Sequence, residues 1–126
     1  MSEPLRALIV THAEVGQALL RAVQDIAGQV EGIVAISNDG CSADVLGERI
    51  DAAVKGVPTV VFVDLPGGSC FQAAARHLRE RGDVAVVAGV NLAMLLDFLY
   101  HRNVAVADAA ARAVDAGSRA IRQLSR

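Results

Sequence analysis

At 126 residues, the chain has the length of one domain, expected to span 1–126, and can bury a core on both faces of a small sheet. Its 12 basic and 14 acidic residues give a formal net charge of -2, without the basic excess that nucleic-acid binding requires. Hydrophobic residues make up 53% and aromatics only 3%, so the core must be built of Val, Ile, Leu and Ala, which suits helices packed closely on a parallel sheet.

Apolar runs alternate with helical periods. The first run, Leu5 to Val10, is too short and too β-branched for a helix and predicts a strand buried on both faces. Val15, Leu19, Val23 and Ile26 then recur at helical spacing, with Gly28 as a stop. A second strand is expected over Gly32 to Ser37. Ser42 can cap a helix whose Leu46, Ile50, Ala53 and Val54 face inward, ending near Gly56. The third strand, Thr59 to Asp64, leads to a helix from Ser69 through Phe71, Ala74, Ala75 and Leu78 to Gly82, and the fourth covers Asp83 to Gly89. Leu92, Leu95, Leu96 and Leu99 form a fourth helical stripe. The tail from Ala105 is helical in pattern to Gly117, and "RAIRQL" (119–124) alternates as a short edge strand.

Cys41 and Cys70 fall in different loops and show no CxxC or metal spacing, which fits a reduced, cytoplasmic protein. The longest nearly unbroken apolar stretch, Val84 to Leu96, contains Gly89 and Asn91 and is too short to span a bilayer, so no membrane insertion is expected. Nothing at the start reads as an export signal.

The strand–helix alternation predicts an open, doubly wound α/β sheet, mainly parallel, in the order 2-1-3-4. Such sheets bind ligands beyond the carboxyl ends of their strands, where the order reverses. His12 and Asp64 would emerge side by side there, from strands one and three. A carboxylate holding one imidazole N–H fixes the tautomer and leaves the other nitrogen as a nucleophile. In the "PGGS" turn that follows Asp64, Gly67 and Gly68 let the backbone approach a ligand, and Ser69 can open a helix whose unpaired N–H groups would seat a phosphoryl group. Each piece also has an ordinary reading: a polar residue at a loop edge, a cap, a turn. Their convergence at the ligand-collecting edge points to phosphoryl transfer.

At these residues the chain resembles the mannose-family IIA domain of the bacterial phosphoenolpyruvate-dependent sugar phosphotransferase system. The resemblance rests on Thr11-His12-Ala13, on Asp64-Leu65-Pro66-Gly67-Gly68-Ser69-Cys70 and on Gly89-Val90-Asn91-Leu92-Ala93-Met94-Leu95. It implies a phosphocarrier that accepts a phosphoryl group from phospho-HPr on Nε2 of His12, with Asp64 supporting the ring, and passes it to a IIB domain or subunit. It further implies a homodimer in which the C-terminal strand pairs with the partner's sheet, and it calls for no cofactor and no metal. Ala13 stands in place of a glycine, Pro66 of a bulky residue, Cys70 and Ala93 of prolines, and Gln72 of an asparagine.

Three rival readings share these features. A receiver-like domain would use Asp64 as phosphoacceptor, but would need an acidic pair after strand one for Mg²⁺, where "THAE" offers only Glu14. A IIA-like regulatory module would be phosphorylated on His12 and signal through a protein partner. A dihydroxyacetone-kinase-type phosphocarrier would differ in its final acceptor. Elsewhere, His77 is expected on a solvated helix face and His101 near a helix end, where a cation suits the dipole. Glu14 favours a helix start, Cys41 reads as a loop thiol, and Cys70 at a helix start has the option of a lowered thiol pKa.

Overall fold

The computed structural model describes residues 4–125, with the backbone alone at 77–80. Four strands, β1 (Arg6–Thr11), β2 (Ile33–Ser37), β3 (Thr59–Val63) and β4 (Val84–Ala88), alternate with α1 (Val15–Ala27), α2 (Ala43–Val54), α3 (Gly68–Glu80) and α4 (Leu92–Tyr100); α5 (Val106–Arg119) follows. All pairings are parallel and the order is β2-β1-β3-β4, as the alternation predicts.

Successive side chains on a strand point to opposite faces, and here both faces are covered. Ala7, Ile9, Val60 and Phe62 enter one core with Val23 of α1, Leu95 and Phe98 of α4, and Ala109 and Ala113 of α5. Leu8, Val10, Val61 and Val63 enter the other with Leu46, Ile50 and Val54 of α2 and Cys70, Ala73 and Ala74 of α3. This is why β1 and β3 read as unbroken apolar runs rather than alternating ones.

Several faces differ from the sequence reading. On α1 the inward side is Gly16, Leu19, Leu20 and Val23, while Val15 and Ile26 are 45% and 60% exposed. Both lie on the flanks of the stripe centred on Val23 and at the two ends of the helix, where the packing against the sheet runs out. On α3, Cys70, Ala73 and Ala74 are buried and Phe71 is half-buried; His77 and Leu78 have side chains outside the described residues. On α4, Met94, Leu95 and Phe98 are fully buried, and Leu92, Leu96 and Leu99 pack around them.

The tail departs most. Gly117 is buried inside α5, where an added Cβ would collide with Met94, so it serves close packing of α5 on α4 and does not stop the helix. The helix runs to Arg119, and 121–125 carry no regular secondary structure, with Ile121 and Leu124 exposed. A strand exists only against a neighbour, and among the described residues none pairs with "RAIRQL".

Two features fasten the ends. The Leu5 amide donates to the Arg102 carbonyl at 2.9 Å, and Arg102 Nε donates to the Leu5 carbonyl at 2.9 Å. The Arg102 guanidinium lies 5.6 Å from the centroid of Phe98, a cation–π contact that ties the α4–α5 loop to the start of β1. Phe98 in turn meets Phe62 edge-on at 5.6 Å between centroids. Phe62 is fully buried at the centre of the sheet. Phe62→Ala should therefore lower unfolding free energy by about 3–5 kcal/mol, read as a fall in urea midpoint at unchanged slope.

Candidate functional site

The site forms where the strand order reverses, beyond the carboxyl ends of the neighbours β1 and β3. His12 follows the last residue of β1, and Asp64 the last residue of β3. The His12 amide donates to Asp64 Oδ2 at 2.9 Å, while His12 Nδ1 lies 3.0 Å from Oδ2 and 3.2 Å from Oδ1. The His12 side chain is 41% exposed and that of Asp64 16%. Burial by itself pushes the Asp64 carboxyl up, but hydrogen bonds from the His12 amide and ring outweigh it and hold the group below the ordinary carboxylate range. An ionised carboxylate only accepts, so Nδ1 carries the ring proton and Nε2 presents its lone pair.

The loop around His12 is held by Thr11 and by Asn38. Buried Thr11 accepts the Gly16 amide on Oγ1 at 2.7 Å, locking the end of β1 to the first turn of α1. A Cβ at Gly16 would stand 3.0 Å from that Oγ1, so glycine permits the approach. From the loop after β2, the Asn38 amide donates to the Thr11 carbonyl at 3.0 Å, and Asn38 Oδ1 accepts the Ala13 amide at 3.3 Å. Ala13 itself has φ +49, a left-handed conformation that favours glycine. Val90 donates to the Val63 carbonyl at 3.0 Å, and Asn91 caps α4 by accepting the Met94 amide at 3.0 Å.

The glycine turn comes beneath the ring. Helix α3 opens at Gly68, one residue before the start read from the sequence, so Ser69 lies within its first turn. Gly68 has φ +86, and a Cβ there would stand 3.8 Å from His12 Cε1 and 3.9 Å from Nε2. The side of the ring turned away from Asp64 thus faces the first backbone groups of α3. Cys70 Sγ lies 3.9 Å from His12 Nδ1 and is fully buried. Burial first, and the Asp64 charge second, push its thiol up, the opposite of the lowered pKa considered for a helix-start cysteine.

The structure brings together His12, Asp64 and Gly68, with Ser69 following in the first turn of α3, and adds Cys70, whose approach to the ring is not expected from the sequence. Thr11 enters the sequence reading only as part of the Thr11-His12-Ala13 motif, and Gly16 and Asn38 have no role there; the signal for Asn38 is its place in the loop after strand two. Glu14 flanks the start of α1 with no side-chain cap bond. Cys41 Sγ lies 3.5 Å from the Asp39 carbonyl, and exposed His101 has Nδ1 2.9 Å from the Asp97 carbonyl.

Residues 6–115 match the family described as "PTS system fructose IIA component". The chain belongs to that family. It is 34% identical over 101 residues to the PTS system mannose-specific EIIAB component of Escherichia coli (strain K12), covering 76% of this chain and 31% of that protein, so it spans about a third of that relative's length. The EIIA phosphotransferase component of Streptococcus agalactiae superposes with a TM-score of 0.89 at 25% identity, over 94% of this chain and 96% of that one. The mannose/sorbose-specific IIA subunit from Enterococcus faecalis shares the fold at a TM-score of 0.86 and 24% identity, covering 98% and 97%. This IIA-family chain is thus a phosphotransferase-system component. Among its described residues, no helix is long and apolar enough to cross a membrane.

Relief of the strained φ at Ala13 exceeds the entropy cost of glycine, so Ala13→Gly should raise stability by roughly 0.5–1 kcal/mol in denaturant unfolding. The depressed Asp64 carboxyl sets a second expectation. As pH falls the unfolded chain takes up this proton first, so the stability owed to Asp64 is complete above about pH 5 and is lost as pH falls through the folded pKa. Unfolding curves should show the gap between wild type and Asp64→Asn closing over that acid range.

Proposed function

We propose that residues 1–126 act as one IIA unit, a cytoplasmic phosphocarrier that accepts a phosphoryl group from phospho-HPr on Nε2 of His12 and passes it to a IIB domain or subunit. The observation carrying this reading is the ring geometry: Nδ1 is engaged by Asp64 at 3.0 Å while the Nε2 side faces the start of α3. In the transfer, the Nε2 lone pair attacks phosphorus as the donor's N–P bond breaks. The ring then gains positive character, and Asp64, already within hydrogen-bond reach of Nδ1–H, stabilises it. Gly67, Gly68 and Ser69 offer the arriving phosphoryl oxygens backbone N–H groups at the positive end of α3. Transfer onward reverses the same steps, which suits a partly exposed ring at the rim of the sheet.

Assembly belongs to the same reading. The open edge of β4 and the unpaired segment 121–125, with Ile121 exposed, are complementary needs that a homodimer would meet by pairing each tail with the partner's sheet.

Incubation with phosphoenolpyruvate, enzyme I and HPr should label wild type with an acid-labile, alkali-stable phosphoryl group, and His12→Ala should carry no label. A label that survives His12→Ala, or one destroyed by alkali, assigns the acceptor elsewhere. Asp64→Asn should slow labelling roughly 10- to 100-fold, the kinetic equivalent of losing about 1.5–3 kcal/mol of charge-assisted hydrogen bonding. Wild-type rates in that variant would remove Asp64 from the transfer step.

A further inference from the structure

The same corner of the fold holds a donor set that phosphoryl transfer does not require. His12 Nδ1, a carboxylate oxygen of Asp64 and Cys70 Sγ all lie within 4.8 Å of one another. Nδ1 is 3.0 Å from Asp64 Oδ2 and 3.9 Å from Sγ. Around a tetrahedral zinc ion with ordinary bond lengths, such N, O and S donors stand about 3.3–3.5 Å apart. The two separations from Nδ1 bracket that spacing and the Asp64–Cys70 separation is at most 4.8 Å, so side-chain rotation can bring all three donors onto one ion. Imidazole, carboxylate and thiolate together suit a borderline-soft divalent ion and not Mg²⁺ or Ca²⁺, which take oxygen. Cys70 stands in the first turn of α3, and His12 and Asp64 directly follow the last residues of β1 and β3 and are already tied to each other, which limits the ordering that binding requires. Three protein ligands leave a fourth position for water, and the half-exposed ring provides a route in.

We infer that His12, Asp64 and Cys70 form a binding site for one divalent transition-metal ion of the zinc type. The buried Sγ supplies the third donor. Bond for bond, the ion joins Nδ1, one Asp64 oxygen and Sγ. The thiol proton leaves to water, and the proton carried by Nδ1 moves to Nε2. The Nε2 lone pair is thereby consumed, so a bound ion silences the nitrogen proposed to receive the phosphoryl group. This consequence rests on the phosphocarrier reading; the metal site does not.

Titration of the metal-stripped full chain with Co²⁺ tests the site directly. A tetrahedral cobalt spectrum with a thiolate-to-metal charge-transfer band should saturate at one equivalent and survive Cys41→Ser. Cys70→Ala should abolish the charge-transfer band, with Cys70→Ser as the alternative if alanine impairs folding by circular dichroism. His12→Ala and Asp64→Asn, which each remove a direct ligand, should weaken affinity roughly 10- to 100-fold or more. The absence of a one-equivalent tetrahedral spectrum, or a charge-transfer band unchanged without Cys70, overturns the site. With purified phospho-HPr as donor, labelling of wild type should fall in proportion to Zn²⁺ occupancy and return on chelation, and Cys70→Ala should lose that sensitivity. Full labelling of the zinc-saturated protein overturns the inhibitory role. If metal-stripped protein takes no label at all, the phosphocarrier reading fails while the cobalt spectrum still decides the site.

Discussion

The carboxylate of Asp64 grips His12 twice, by its backbone amide and by its ring. That double contact crosses from the end of β3 to the end of β1, and it exists because the sheet order makes those strands neighbours. It orients the imidazole, selects its tautomer and keeps the carboxyl ionised against the cost of its own burial. Without it, a half-exposed histidine on the three-residue loop His12–Glu14 would sample many orientations; with it, one nitrogen is committed and the other is presented.

The scaffold supplies the rigidity that this contact needs. Strands β1 and β3 are buried on both faces, so their ends are fixed by two independent cores. Thr11 and Asn38 extend the constraint into the loop, one locking the first turn of α1 and the other reaching over from the end of β2. The left-handed turn at Ala13 is the local conformation that this tethering enforces, at a cost a glycine would not carry. Precision at the ring is therefore spread over residues with no chemistry of their own.

Cys70 shows how one position can read two ways. At the start of a helix a thiol is usually acidified, but here burial and the neighbouring carboxylate act in the other direction. The same burial that makes it a poor nucleophile sets its sulfur beside Nδ1. A metal ion reverses the electrostatic balance, since its charge offsets both the carboxylate and the desolvation of the thiolate. The proposed site follows from packing rather than from any spacing along the chain.

Much of this was legible in the amino-acid order. Apolar runs of five or six residues rich in β-branched side chains, separated by helical periods, dictate a parallel sheet covered on both sides, and that sheet collects His12 and Asp64 at its reversal point because connections between parallel strands are short and right-handed. Tertiary structure alone decided the rest. Whether Val15, Ile26 or Phe71 faced inward depended on the angle at which each helix met the sheet, which a period of 3.6 residues leaves open. Gly117 reads as a stop but is a contact, because its meaning lies in Met94 on another helix. The tail alternates like a strand yet pairs with nothing among the described residues, since strand formation is a property of two segments and a sequence displays only one. The meeting of a thiol 58 residues away with the ring of His12 is likewise a fact of folding, because ligand atoms are set by proximity in space and local spacing records only neighbours on one element.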